Sequence, residues 1–122
     1  MYFLDKRYVL MRALTTWNTA KLNCIAQGAR LMEIHTHEEF RKTGQLLQEI
    51  EQSFVWLGGS DLQEEGNWVW DSNQESINRM EFWYPGRPYD HNENHNCLGF
   101  YSTAMTDSVG CTYTRFSICE YI

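Results

Sequence analysis

The 122-residue chain has only two prolines, no Asn-x-Ser/Thr acceptor, no Cys-x-x-Cys pair and no long apolar run. Each absence excludes something. A helix crossing a bilayer needs about 18 to 20 consecutive apolar residues, so no membrane span is expected. The opening Met1 to Tyr8 is broken by Asp5, Lys6 and Arg7 and has no apolar stretch before a small-residue cleavage site. It does not read as a signal peptide, and a secreted product would then be a mature chain with at most an initiator Met. Cations are scarce: 10 Lys plus Arg face 16 Asp plus Glu, a net charge of -6, and no run of cations exceeds two. A nucleic-acid groove needs clustered positive charge to displace phosphate counterions, so no nucleic-acid partner is expected. Without Cys-x-x-Cys spacing a structural zinc site is disfavoured. No Gly-x-Ser-x-Gly elbow marks a hydrolase nucleophile.

What is present suits one folded domain spanning 1–122. The hydrophobic fraction of 43% can build a core, and the charged fraction of 21% is too ordinary for a disordered segment. Four cysteines, Cys24, Cys97, Cys111 and Cys119, read either as two disulfides in an oxidising compartment or as buried thiols in a cytosolic protein. The even count without metal spacing favours the first and a secreted, extracellular location; spacing alone does not rank the three pairings.

Along the chain, Tyr8 to Met11 suits a strand, and Thr15 or Thr16 can cap a helix from Trp17 to near Gly28. Trp17, Ala20, Leu22, Cys24 and Ile25 form its imperfect apolar side. Leu31 to Ile34 reads as extended. Thr36-His37-Glu38-Glu39 is a capping-box pattern opening a second helix to about Gln52. Phe40, Gln45 or Leu46, Leu47 and Ile50 face inward there, with Glu38, Glu39, Arg41, Lys42, Glu49 and Glu51 outward. Phe54 to Leu57, Trp68 to Trp70, Cys97 to Tyr101 and Phe116 to Tyr121 read as strands. Between them, Asp71 to Asn96 is a long loop with little periodicity, where function is expected to sit.

The string Trp56-Leu57-Gly58-Gly59, then Asp61, then Gly66-Asn67-Trp68-Val69-Trp70 resembles the Trp-Ile-Gly-Leu and Gly-x-Trp-x-Trp signatures of the C-type lectin-like fold. Trp83, Gly86, Pro88, Cys97, Cys111 and the closing Phe116-Ser117-Ile118-Cys119-Glu120 resemble its later elements. The likeness covers about Tyr8 to Ile122. It implies an α+β fold in which two helices pack on short antiparallel sheets beside a long binding loop. It also implies the disulfides Cys24-Cys119 and Cys97-Cys111, the pattern of the family's short form.

Sugar-binding members hold a calcium ion with a Glu-Pro-Asn or Gln-Pro-Asp triplet, a later Glu and a Trp-Asn-Asp triplet. At the corresponding positions stand Arg87-Pro88-Tyr89, His95 and Thr106-Asp107-Ser108, and only Asp107 keeps a carboxylate. Calcium takes six to eight oxygen ligands, and Arg87 would put a permanent cation among them. The resemblance therefore implies that the sugar-bridging calcium is missing. It also implies an auxiliary calcium site at Asp61, Glu65, Asp90 and Asn96, and a weaker second site at Glu33, Glu39 and Glu120. The bland alternatives are a capping-box role for Glu39 and a solvated Glu33.

Two functional readings follow. In one, the domain recognises hexose or N-acetylhexosamine glycans: Arg87, Asp90, His95 and Asp107 supply hydrogen bonds, and Tyr84, Tyr89 or Tyr101 supplies a flat face. Some invertebrate C-type lectins resemble this, with a basic residue before the Pro and a preference for N-acetylated hexosamines. In the other, the loop binds a protein through an Arg- and aromatic-rich surface. No catalytic role is expected: the cysteines are committed, and Asp90 and Glu93, on one loop, could act in glycoside hydrolysis only if both lined one cleft. With one loop per chain, multivalent recognition requires a noncovalent homodimer or heterodimer.

Overall fold

The structure, a computed structural model, describes residues 2–3 as backbone and residues 6–77, 81–87, 95–106 and 110–121 in full. The two ends of the chain meet in an antiparallel pair. Strand β1 (Tyr2–Phe3) folds onto β2 (Lys6–Thr15), and β2 runs against β8 (Arg115–Tyr121) in a register of Tyr8 with Glu120 and Leu10 with Ile118. β2 is longer than the apolar run Tyr8 to Met11 because β8 supplies hydrogen-bond partners beyond it; pairing resumes after a register shift at Thr15 with Arg115. The strand continues where backbone groups find partners, whatever the side chains.

Helix α1 (Trp17–Ala26) starts where the Thr16 side chain accepts a hydrogen bond from the Thr19 N–H at 3.3 Å. Only Trp17, Ala20 and Cys24 are buried, while Leu22 and Ile25 are 55% and 53% exposed. The expected apolar side thus included two residues that face outward, because at about 100° per residue positions 22 and 25 leave the 17/20/24 stripe. In α2 (His37–Glu49) the capping box is complete: Thr36 Oγ1 accepts from the Glu39 N–H at 3.1 Å and Glu39 Oε1 accepts from the Thr36 N–H at 3.1 Å. Glu39 itself is buried, which corrects its expected outward orientation. The helix ends at Glu49, earlier than expected, and Glu51 beyond it has φ 56°.

Strand β3 (Arg30–Leu31) pairs with β8, and β4 (Phe54–Ser60) occupies the centre, parallel to β8 and antiparallel to β6 (Cys97–Tyr101). β5 (Val69–Trp70) pairs with the end of β4, and β7 (Ala104–Thr106), which has no signal in the sequence reading, extends the sheet from β6. The result is one mixed sheet in the order β1-β2-β8-β4-β6-β7, and the β4/β8 pair is parallel where only antiparallel pairing was expected. β4 is buried on both faces, which explains its glycines: a Cβ on Gly58 would come within 2.7 Å of the Leu31 carbonyl oxygen.

Trp56, Trp68 and Trp70 are buried, as expected of core residues. The Trp17 indole donates to the Leu57 carbonyl at 2.8 Å and Trp56 to Thr15 at 3.0 Å, so apolar burial costs no lost hydrogen bond at these two rings. Cys24–Cys119 ties α1 to β8, and Cys97–Cys111 closes the loop that carries β7. With sequence separations of 95 and 14, loop-entropy arguments give roughly 4.7 and 3 kcal/mol respectively. No described helix is long and apolar enough to cross a membrane.

Candidate functional site

Among the described residues of the long loop, Phe82 to Tyr84 are tied to β7 and to Ile77 by hydrogen bonds. Tyr84 N–H donates to the Met105 carbonyl at 2.7 Å, Met105 N–H to Phe82 at 2.8 Å, and the Trp83 indole to Ile77 at 2.6 Å. The chain then reverses through Tyr84-Pro85-Gly86-Arg87, where Arg87 N–H donates to the Tyr84 carbonyl at 2.9 Å and Gly86 has φ 84°. Proline at the second position and glycine with positive φ at the third make a type II turn. That turn brings Arg87 to an open groove of ≈ 700 Å³, lined also by Tyr101, Thr106 and Arg115. Tyr84 stacks on Tyr101 with ring centroids 5.9 Å apart, and both rings are partly exposed. Of the expected sugar contacts, Arg87 and His95 are described; Tyr89, Asp90 and Asp107 lie outside the described residues. Arg115 escaped the sequence reading because its place in the groove depends on β8 lying beside β4.

Asp61 neighbours the Glu65 carboxylate and the Asn96 backbone. Asp61 follows β4, its N–H donates to the Asn96 carbonyl at 3.1 Å, and its Oδ2 accepts from Gly66 at 2.9 Å. The residue is 3% exposed, and among the described residues no hydrogen bond reaches Oδ1. Burial first, and then the neighbouring Glu65 carboxylate, push the Asp61 carboxyl up to about 6. A buried carboxylate oxygen facing a second carboxylate fits a cation with oxygen ligands. Asp90, the fourth expected donor, lies outside the described residues, and among the described ones no three His, Cys, Asp or Glu side chains form a metal-binding group.

Glu33, Glu39 and Glu120 are all buried, and protein groups already satisfy most of their oxygens. Glu120 Oε2 accepts from Arg30 Nε at 2.7 Å, and Glu39 Oε2 lies 3.3 Å from Lys6 Nζ. Glu33 accepts from Ser72 N–H and Oγ at 3.0 and 2.8 Å and lies 3.0 Å from His35 Nε2. Burial alone would raise the Glu33 carboxyl, but the hydrogen bonds from His35 and Ser72, with Arg30, hold it below the usual range. Burial raises Glu120, and raises the Tyr8 phenol beside it. The expected second calcium position is thus supplied with cations by Arg30 and Lys6, which a metal ion would have to displace.

The family model described as "Lectin C-type domain" matches residues 13–121. Hepatic lectin of Gallus gallus is 24% identical over 119 residues, covering 98% of this chain and 56% of that protein. The chain spans about half the length or less of the curated relatives it matches. Among solved structures, the mouse scavenger receptor C-type lectin carbohydrate-recognition domain superposes with a TM-score of 0.83 at 24% identity, covering 98% of this chain and 91% of that one. A calcium-independent type II antifreeze protein superposes at 0.82 with 23% identity, over 98% and 88%. At these identities the structures show the fold, and one fold hosts several functions. The fold is the C-type lectin-like one, with the disulfide pairing the resemblance implied, and the chain belongs to the C-type lectin domain family.

Proposed function

We propose that this domain is a non-enzymatic, extracellular carbohydrate-binding module that recognises hexose or N-acetylhexosamine glycans at the groove beside Arg87, without a sugar-bridging calcium. The observation that carries the reading is the type II turn that delivers Arg87 to an open groove lined also by Tyr101, whose ring stacks on Tyr84. A guanidinium donates hydrogen bonds to sugar hydroxyls, and an aromatic face packs on the apolar side of a pyranose. Tyr89, Asp90, His95 and Asp107 complete the proposed contacts. The names of the hepatic lectin and the carbohydrate-recognition domain point the same way.

Calcium binding is common in the family, and Asp61, Glu65, Asn96 and Asp90 would hold an auxiliary ion here. When bound, it would neutralise the facing carboxylates and fasten the long loop beside β4. The test is a glycan array run with calcium and with excess chelator. Binding to N-acetylhexosamines that survives chelation supports the reading, binding abolished by chelation overturns the calcium-independent part, and no glycan binding overturns it whole. The last result would favour a protein ligand, for which the exposed Leu22 and Ile25 on α1 offer an apolar contact. Multivalent binding would require a noncovalent dimer.

A further inference from the structure

The groove beside Arg87 runs across the strands of the sheet. Its described lining residues come from one strand after another: Leu14 from β2, Arg115 and Phe116 from β8, Phe54 from β4, Tyr101 from β6 and Thr106 from β7. The order β2-β8-β4-β6-β7 sets them side by side. The registers also keep them level, since Thr15 lies opposite Arg115, Val55 beside Phe116, and Phe54 opposite Tyr101. With neighbouring strands about 4.8 Å apart, the row from Leu14 to Tyr101 spans roughly 14 Å. At ≈ 700 Å³ the groove falls within the range of small-ligand clefts, roughly 300 to 1,000 Å³, and exceeds what one sugar ring fills.

Both kinds of contact that a sugar chain uses occur along this row. Leu14 is 63% exposed and Tyr101 44%, so apolar surface stands open at the β2 end and again at β6. Between them the Arg115 guanidinium lies 5.7 Å from the Phe54 ring centroid and 5.6 Å from that of Tyr113, and one nitrogen donates to the Thr114 carbonyl at 2.9 Å. The two rings hold its plane. A guanidinium carries five N–H donors, more than the Thr114 carbonyl takes up, and Thr106 and Thr114 add hydroxyls to the same wall. A pyranose has a rim of hydroxyls and an apolar face, so donors interleaved with open apolar surface suit one ring after another.

We infer that this groove takes a linear oligosaccharide of about three residues or more, laid across the strands at about one ring per strand, with one residue at Tyr101 and the chain continuing over Arg115 to Leu14. The inference rests on the glycan-binding reading and names the ligand class of that site, a chain and not a single sugar. It makes Arg115 and Leu14 the residues that select for chain length. Neither lies on the long loop.

The test measures affinity for N-acetylglucosamine and mannose oligomers of one to five residues, using the intact chain and the variants Arg115→Gln, Leu14→Asn, Tyr101→Ala and Arg41→Gln. For the preferred series, wild-type affinity should rise by about tenfold or more from one residue to three, the gain expected from one or two further hydrogen bonds with their apolar contact. It should level off once the row is filled. Tyr101→Ala should weaken binding at every length, down to the single sugar. Arg115→Gln and Leu14→Asn should leave the single sugar unchanged and each cut the gain with length by about threefold or more, while Arg41→Gln, on the exposed side of α2, should change nothing. If Arg115→Gln fails to fold, Leu14→Asn, at an exposed position, decides. Equal affinity at all lengths overturns the inference and leaves the glycan-binding reading standing. A gain with length that survives both Arg115→Gln and Leu14→Asn also overturns it, and binding of neither series at any length overturns both.

Discussion

Replacing Arg30 by Met leaves the Glu120 carboxylate without its cation in a fully buried position. The pair is a 2.7 Å contact in which Glu120 is 0% exposed and the Arg30 side chain 26%. Breaking a buried pair on one side costs about 3 to 5 kcal/mol, because the remaining charge stays desolvated. The partial exposure of Arg30 points to the lower end, about 3 kcal/mol, which for a domain of this size lowers Tm by roughly 10 °C. The loss must also depend on pH. Burial already raises the Glu120 carboxyl, and Arg30 opposes that rise, so its removal sends the folded-state value higher still. A carboxyl with a raised folded-state pKa destabilises the fold once ionised, so the deficit is largest near neutral pH. It should shrink as pH falls through that raised value and Glu120 becomes neutral. Urea denaturation of wild type, Arg30→Met and Arg30→Met/Glu120→Gln at pH 7 and pH 5 measures both effects, and the double variant should recover most of the loss. A single-variant loss below about 0.5 kcal/mol, the scale of an exposed pair, or one that grows on acidification, would refute the reasoning.

Three further outcomes follow from the same geometry. The hydrogen bond to Glu33 raises the His35 pKa, so its contribution is fully present below about 6.5 and lost as pH rises through the folded value; the lowered Glu33 adds stability above about 4.5 that is lost on acidification. His35→Asn should therefore be less stable than wild type at pH 6 by up to about 1 kcal/mol and nearly equal at pH 9, and an unchanged gap in thermal melts would contradict this. Gly58→Ala should cost about 1 to 3 kcal/mol, read from the urea midpoint, because the Leu31 backbone blocks the new methyl at 2.7 Å. Removing both Cys97 and Cys111 should cost roughly 3 kcal/mol, and a change near zero would mean the loop around β7 is held by its hydrogen bonds alone.

Signals confined to a few residues were legible in the sequence. Thr36 and Glu39 announce a capping box because both partners sit within one helical turn, and the Trp56 to Gly59 and Trp68 to Trp70 strings mark strands buried in the core. Proline and glycine at 85 and 86 suit the type II turn found there, although the sequence by itself reads at that point only as a long loop. The motif series also implied the disulfide pairing that composition and spacing left open.

What tertiary structure alone decided depends on contacts between distant segments. Only the fold sets cations beside the acidic set Glu33, Glu39 and Glu120: Arg30 reaches Glu120 across 90 residues and Lys6 reaches Glu39 across 33, while Glu120 Oε1 stays buried with no hydrogen bond among the described residues. The outward side assigned to Glu39 failed for the same reason: periodicity places a residue on a helix face, whereas what covers that face depends on which strands pack against it. β7 is three residues long and exists because β6 and the loop's backbone offer hydrogen bonds on both sides. Arg115 belongs to the groove because a parallel β4/β8 pairing carries it beside Phe54. Local sterics and capping are encoded within a turn of chain, whereas a charge's partner is fixed only when strand order sets which surfaces share a low-dielectric space.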